Sequence, residues 1–369
     1  MNMYDYIDEY GMYSFEEIPF NEIDATLFSF LSYVDYGKIV EKEKIQLKNV
    51  GRMHLGLHNK KERNIRAVED ATNLLKYIKD TNRYKNCYLF NYVYDIENDI
   101  QFSVISIEYQ KNKVFVSYEG TDAQISGWKE NIILACEFPT LTHKKAIDYL
   151  KKNYTFTNKR LIIGGHSKGG NLALVASMSS NLLVRLHIDK IYNMDGPGLL
   201  KNEFHSSKFK RIQKKYIHII PENSLVGILL YSSNQKYIKS NILGPLAHDI
   251  LYWVIKDTKF EESNLTSFSK ELHQNINKYI NNHDKKEIRE TIDNIYNICK
   301  RVNVITLVEL KNSKKIMAFI KESKILNQSS RNLVFDLIGT ILQSFGYSKY
   351  TDFINFIKKQ NQKKKKEDI

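Results

Sequence analysis

Apolar positions follow two different periods along this chain, and the change of period marks out its elements. Ile23, Leu27, Phe30, Leu31 and Val34 recur at helical spacing, and so do Ile65, Val68, Ala71, Leu74, Leu75 and Ile78. Each set lies on one face of a 3.6-residue repeat, which predicts helices over residues 21–34 and 63–79. Asn21 caps the first of these, and Asp24 sits in its first turn, where the helix dipole favours negative charge. The period then shortens. Residues 102–109 and 114–118 are rich in β-branched and aromatic side chains, with the polar Gln110-Lys111-Asn112-Lys113 between them. That arrangement predicts an antiparallel hairpin. Further strand-like runs fall at 161–163, 190–194, 216–220 and 237–240. Helix-length segments separate the first three, as in parallel strands joined by crossover helices.

From about residue 256 the pattern changes again. Residues 260–302 and 314–345 are rich in Lys, Glu and Asn, with Ile, Leu and Phe at helical spacing. The expected division is a sheet domain with its N-terminal helices over 1–258, a helical extension over 259–357, and a basic disordered tail over 358–369.

Composition narrows the class. The chain has 369 residues, 42% of them hydrophobic, and only five prolines, which predicts a folded globular protein. Cys87, Cys136 and Cys299 are widely spaced, which predicts neither a disulfide framework nor a zinc site and fits a reducing, cytoplasmic setting. The acidic, aromatic start has no basic and no apolar region of the kind a signal peptide needs. No run approaches the ~20 apolar residues of a transmembrane helix. The net charge is +13. Most of that excess is Lys spread among Asn and Ile, and no nucleic-acid-binding motif accompanies it. The lysines at 363–366 read as a solvated tail, with transient contact to an anionic membrane surface as the functional alternative.

Chemistry enters at Gly165-His166-Ser167-Lys168-Gly169-Gly170, directly after Leu161-Ile162-Ile163 and before the small-residue run Asn171-Leu172-Ala173-Leu174-Val175-Ala176-Ser177. A G-x-S-x-G between a strand and a helix makes a sharp turn that lifts the serine hydroxyl above the sheet edge. Side chains two residues either side would collide there, and glycine occupies both positions. Ser167 is the expected nucleophile.

These residues resemble the class 3 (fungal-type) lipases, whose signature is G-H-S-x-G-G-x-L-A. Upstream, Val116-Ser117-Tyr118-Glu119-Gly120-Thr121-Asp122 with Gly127-Trp128 is similar to their aromatic-R-G-T/S segment, with Glu119 replacing the usual Arg. The chain is more similar still to a bacterial domain-of-unknown-function family of lipase-like proteins. The shared marks are Pro19-Phe20-Asn21-Glu22-Ile23-Asp24 with Leu31-Ser32-Tyr33, Tyr118-Glu119-Gly120-Thr121-Asp122, Asp195-Gly196-Pro197-Gly198, Ser224-Leu225-Val226-Gly227 and His248-Asp249. The resemblance implies an α/β-hydrolase fold. Its sheet would be mostly parallel and flanked by helices, with an N-terminal helical segment and the helical C-terminal extension.

That fold sets the order serine, acid, histidine. His248 follows the last predicted strand and is the expected base; His166, beside the nucleophile, reads as elbow packing. Two acids satisfy the order. Asp195 ends the strand after the nucleophile and is favoured, because Asp-Gly-Pro-Gly is a tight strand-end turn; Glu222 ends the following strand. The oxyanion hole is expected from the Lys168 N–H and from Thr121, with Asp122 fixing the loop. Residues 125–145, carrying Trp128, Ile132, Ile133, Leu134, Phe138 and Leu141, would serve as a lid or as buried packing. The expected protein is an intracellular serine hydrolase acting on a small-molecule or lipid ester, with no metal or cofactor and no nucleic-acid partner. A thioesterase, a peptidase or a catalytically silent binding module are the alternatives on the same fold.

Overall fold

Eight strands form one sheet, arranged side by side in chain order: β1 (Ile45–Gln46), β2 (Tyr88–Glu97), β3 (Ile100–Gln110), β4 (Lys113–Tyr118), β5 (Arg160–His166), β6 (Ile188–Met194), β7 (Tyr216–Pro221) and β8 (Gln235–Ile238). The structure, a computed structural model, describes residues 1–37, 39, 40, 43–53, 65–97, 100–121, 129, 133, 134, 137–304, 309 and 312–343. Strands β1 to β4 pair antiparallel, and β4 to β8 pair parallel. The predicted hairpin is β3–β4, with Asn112 in its turn at φ 61°. Parallel strands need crossovers, and the helices Leu141–Tyr154 and Lys168–Ser179 supply the first two.

Both faces of the sheet are buried, so its strands alternate between two apolar layers. Phe115, Ile162, Tyr192 and Met194 face a layer with Ile23, Leu27, Phe28 and Leu31 of the helix Glu22–Leu31. Val114, Val116, Leu161, Ile163 and Ile191 face the other, with Leu172, Val175 and Ala176 of the helix Lys168–Ser179. The helix Glu22–Leu31 starts as its sequence predicts. Asn21 Oδ1 accepts from the N–H groups of Ile23 and Asp24, and Asp24 Oδ2 accepts from the Asn21 N–H at 2.9 Å. Asp24 also anchors a buried charge pair. Its carboxylate takes Arg83 Nε at 2.8 Å, Arg83 Nη2 at 2.6 Å and the Tyr84 hydroxyl at 2.7 Å. The remaining Arg83 nitrogen donates to the Ile18 carbonyl at 3.0 Å, which ties the N-terminal segment to the domain.

The chain divides into two compact units, Met1–Asp122 with Phe138–Leu265, and Ala123–Glu137 with Thr266–Ile369. The first holds the sheet. The second is helical, with Ser267–Asn282, Lys285–Arg301, Ser313–Glu322 and Gln328–Gln343. Within it, Lys129 pairs with Asp293 at 2.7 Å and Glu137 with Arg289 at 2.5 Å. A segment from the middle of the sequence therefore groups with the C-terminal helices. Trp128, Ile132, Asp122 and the lysine-rich tail lie outside the described residues. Among the other residues expected in a lid, Phe138 packs into the core of the sheet unit and sits 5.4 Å from the His143 ring. Among the described residues no helix is long and apolar enough to cross a membrane.

Candidate active site

Ser167 joins β5 to the helix Lys168–Ser179 with φ 58° and ψ −133°, a conformation that L-residues rarely adopt. The turn is held by packing too tight for side chains. A Cβ at Gly165 would lie 2.4 Å from the Gly169 carbonyl carbon, and one at Gly169 would lie 2.1 Å from the Tyr118 oxygen. The strand-to-helix turn thus presses directly on the end of β4. Ser167 donates its N–H to the Met194 carbonyl at 2.9 Å, and its own carbonyl accepts from the Gly170 N–H at 2.9 Å. These backbone bonds lock the elbow to the end of β6, where Asp195 follows.

Asp195 is fully buried, with φ 51°, and its N–H donates to the Ile219 carbonyl at 2.8 Å. Its carboxylate is saturated with donors. Oδ1 accepts from the Ser224 hydroxyl at 2.5 Å and from the Gly227 N–H at 3.0 Å. Oδ2 meets His248 Nδ1 at 2.6 Å. Burial pushes the Asp195 carboxyl up, against the downward pull of His248, Ser224 and Gly227. With Asp195 ionised, Oδ2 can only accept, so His248 Nδ1 donates to it and Nε2 keeps its lone pair. The turn beyond Asp195 is clamped by two buried asparagines. Asn193 Oδ1 accepts from the Gly196 N–H at 2.8 Å, and Asn171 Nδ2 donates to the Gly198 carbonyl at 2.7 Å.

His248 arrives on a short 3-10 turn, Gly244–His248, after β8. His166 fixes it there. The His166 ring is buried and lies tilted against His248, with 4.4 Å between centroids. Its Nε2 is 2.8 Å from the His248 carbonyl oxygen, and its Nδ1 is 3.0 Å from the Tyr33 hydroxyl. Burial first, and then His248, hold the His166 ring well below the usual imidazole range. A neutral ring facing a carbonyl must donate from Nε2, so Nδ1 accepts from Tyr33. The His166 ring thus links the elbow to the His248 backbone and to Tyr33.

The loop after β4 passes against the elbow. A Cβ at Gly120 would come 2.8 Å from Ser167 Cβ and 2.3 Å from the Tyr33 hydroxyl. Thr121 is next, its carbonyl 3.5 Å from that hydroxyl. Lys168 is the first helical residue after Ser167, and its ammonium donates to the Gln101 carbonyl at 3.1 Å. Glu119 is buried and accepts from Gln101 Nε2 at 3.0 Å. The fold thus gathers Ser167, Asp195, His248, Thr121 and Lys168 at one end of the sheet. Glu222 goes elsewhere: it accepts from the Ser240 N–H at 3.3 Å and the Ser263 hydroxyl at 2.5 Å.

Three contributors had no role assigned from sequence. Ser224 and Gly227 cradle the Asp195 carboxylate, and Tyr33 braces His166. Their signal was the Ser224-Leu225-Val226-Gly227 and Leu31-Ser32-Tyr33 motifs, which carry no spacing that names a chemical task.

The sequence model of the Mbeg1-like family matches residues 78–297, more than half of the chain, and the chain belongs to that family. The match spans every candidate residue from Thr121 to His248. A search of curated proteins found no match. Among solved structures, the chain is similar to M37 lipase, with 14% identity, 55% of this chain and 68% of that one covered, and a TM-score of 0.37. It is also similar to the Lip2 lipase from Yarrowia lipolytica, with 12% identity, coverage of 68% and 88%, and a TM-score of 0.37. A third is a mutant form of MDLA from Penicillium cyclopium, with 13% identity, coverage of 64% and 83%, and a TM-score of 0.36.

Proposed function

We propose that this member of the Mbeg1-like family is a serine hydrolase that cleaves carboxylic esters. The observation that carries this reading is the 2.6 Å contact of buried Asp195 with His248 Nδ1, beside a serine held at φ 58° in a strand-to-helix turn. In this mechanism His248 Nε2 takes the Ser167 proton as Oγ bonds to the ester carbonyl carbon. The resulting oxyanion is stabilised by the Lys168 N–H and by Thr121. The carbon–oxygen bond to the alcohol then breaks, and His248 returns the proton to the leaving oxygen. Water, deprotonated by the same nitrogen, attacks the acyl-enzyme, and Ser167 recovers its proton as the acid departs. Asp195 keeps Nδ1 protonated and balances the imidazolium through both attacks.

Leu243 and Leu246 are exposed on the chain leading into His248. They give the approach to the base an apolar character that suits an acyl chain. Ser167→Ala tests the reading with p-nitrophenyl esters. Turnover is expected to fall at least ~10⁴-fold with melting unchanged. Turnover within about tenfold of the parent protein would overturn it.

A further inference from the structure

The parallel strands begin at the end of the sheet opposite the candidate active site, and that end is both apolar and basic. Ser167 and Asp195 follow the C-terminal ends of β5 and β6. At the N-terminal end, Phe156 precedes β5 and is 94% exposed. The helix Leu182–His187 precedes β6 and presents Leu182, Leu183 and Leu186 to solvent at 61%, 46% and 59%. Leu182 and Leu183 lie four and three residues before Leu186, so the three share one face. Asn181 Nδ2 donates to Thr155 Oγ1 at 3.1 Å, which brings Phe156 alongside that helix.

Exposed cations surround this patch. Lys151 and Lys152 end the helix Leu141–Tyr154, Lys111 and Lys113 flank the β3–β4 turn, Lys190 lies in β6, and Lys214 precedes β7. Lys215 closes the set from below, donating to the Arg185 carbonyl at 3.0 Å and to the Ile188 carbonyl at 2.6 Å. The acids nearby balance it only in part: Glu16, which accepts from Gln110 Nε2 at 3.3 Å, is an exposed carboxylate beside Lys111 and Lys113. Asp189 is paired with Arg160, and Glu108 with Lys44 and Lys159. Asp148, about one turn back from Lys151 and Lys152, is the exposed carboxylate closest to them along that helix.

We propose that this end of the sheet docks on an anionic lipid bilayer, with Phe156, Leu182, Leu183 and Leu186 entering the interface and the lysines meeting lipid headgroups. Protruding apolar side chains within a basic ring match that surface in both polarity and charge. A nucleic-acid backbone would satisfy the lysines and leave three leucines wet. A second copy would set one basic ring against another. The docked protein holds its candidate catalytic end away from the lipid surface, so docking is a tether and does not feed substrate from the bilayer beneath.

Co-sedimentation of the full chain with vesicles tests this. Phosphatidylcholine vesicles containing phosphatidylserine are expected to bind it and phosphatidylcholine alone to leave it in solution, with high salt releasing it. The double variant Phe156→Ser, Leu182→Ser and the triple variant Lys151→Glu, Lys152→Glu, Lys190→Glu are each expected to lower binding at least about tenfold. These side chains are exposed, so melting and ester turnover should not move. Failure of the parent protein to bind phosphatidylserine vesicles overturns the proposal. So does binding that survives both variants but vanishes on truncation after Gln360, which would assign docking to the tail. Equal binding of duplex DNA by the parent and the Phe156→Ser, Leu182→Ser variant, with no vesicle binding, would make the face a general polyanion site and overturn it too.

Discussion

Asp195→Asn is the most informative single substitution, because the surroundings dictate which way the amide must turn. Oδ1 of Asp195 faces two donors, the Ser224 hydroxyl at 2.5 Å and the Gly227 N–H at 3.0 Å. An amide NH₂ placed there would meet donors on both sides, so the amide oxygen stays and the NH₂ turns toward His248 Nδ1. That nitrogen must then accept, which moves the imidazole proton to Nε2. The base is blocked in its resting state, and the imidazolium formed in the reaction loses its counter-charge. The expected loss is up to ~10⁴-fold in kcat, or about 5.5 kcal/mol in the barrier, with KM for a small ester nearly unchanged. The assay is p-nitrophenyl ester turnover, with thermal melting to establish that the variant is folded. Glu222→Gln serves as the control and should be mild, since Glu222 bonds to Ser240 and Ser263. A folded Asp195→Asn protein retaining a tenth or more of kcat would refute the argument, because the tautomer would then not depend on this carboxylate.

Three further outcomes follow from the packing and the buried charges. Gly169→Ala should destabilise the sheet unit by about 3 kcal/mol in urea unfolding, since its Cβ would meet the Tyr118 carbonyl oxygen at 2.1 Å and backbone cannot yield cheaply. Arg83→Ala should cost about 3–5 kcal/mol in the same assay by leaving Asp24 buried without its partner, and an unchanged midpoint would contradict that. Stability should also fall on acidification. His218, pushed down to about 3 by burial, and His166, pushed well down by burial and His248, stay neutral when folded, while the unfolded chain takes up protons below pH ~6.5. Each histidine therefore contributes stability above the unfolded pKa that is lost as pH drops. For His218 the loss is about 3 kcal/mol by pH ~4. Asp195, raised by burial, has the opposite sign: its contribution is present at low pH and is lost as pH rises through its folded pKa, so it opposes the histidine slope there. Urea midpoints across that range check the slope, and His218→Gln should reduce it.

What the sequence revealed depended on how local each signal was. The elbow was legible because glycine at positions 165 and 169 is demanded by contacts within a single strand–turn–helix unit and its neighbouring strand end. The Asn21 cap and the β3–β4 hairpin were legible for the same reason. Strand β2 was not. Its register shifts between Phe90 and Val93, and Asn91 has φ 52°, so the two-residue alternation that marks a strand is broken at its centre. The sequence favoured Asp195 over Glu222 only through its Asp-Gly-Pro-Gly turn. Both end parallel strands, and only the tertiary position of the Gly244–His248 turn decides which carboxylate reaches the histidine. The Tyr33–His166 brace joins side chains 133 residues apart, a distance at which no periodicity survives.

A fluorophosphonate probe reads whether Ser167 is an activated nucleophile without requiring the natural ester. The intact protein would be incubated with the probe, digested, and mapped by mass spectrometry. A single phosphonyl adduct is expected on the peptide carrying Ser167, absent in Ser167→Ala and formed far more slowly in Asp195→Asn. An adduct on a different serine, or no adduct on protein whose melting shows it folded, would contradict it.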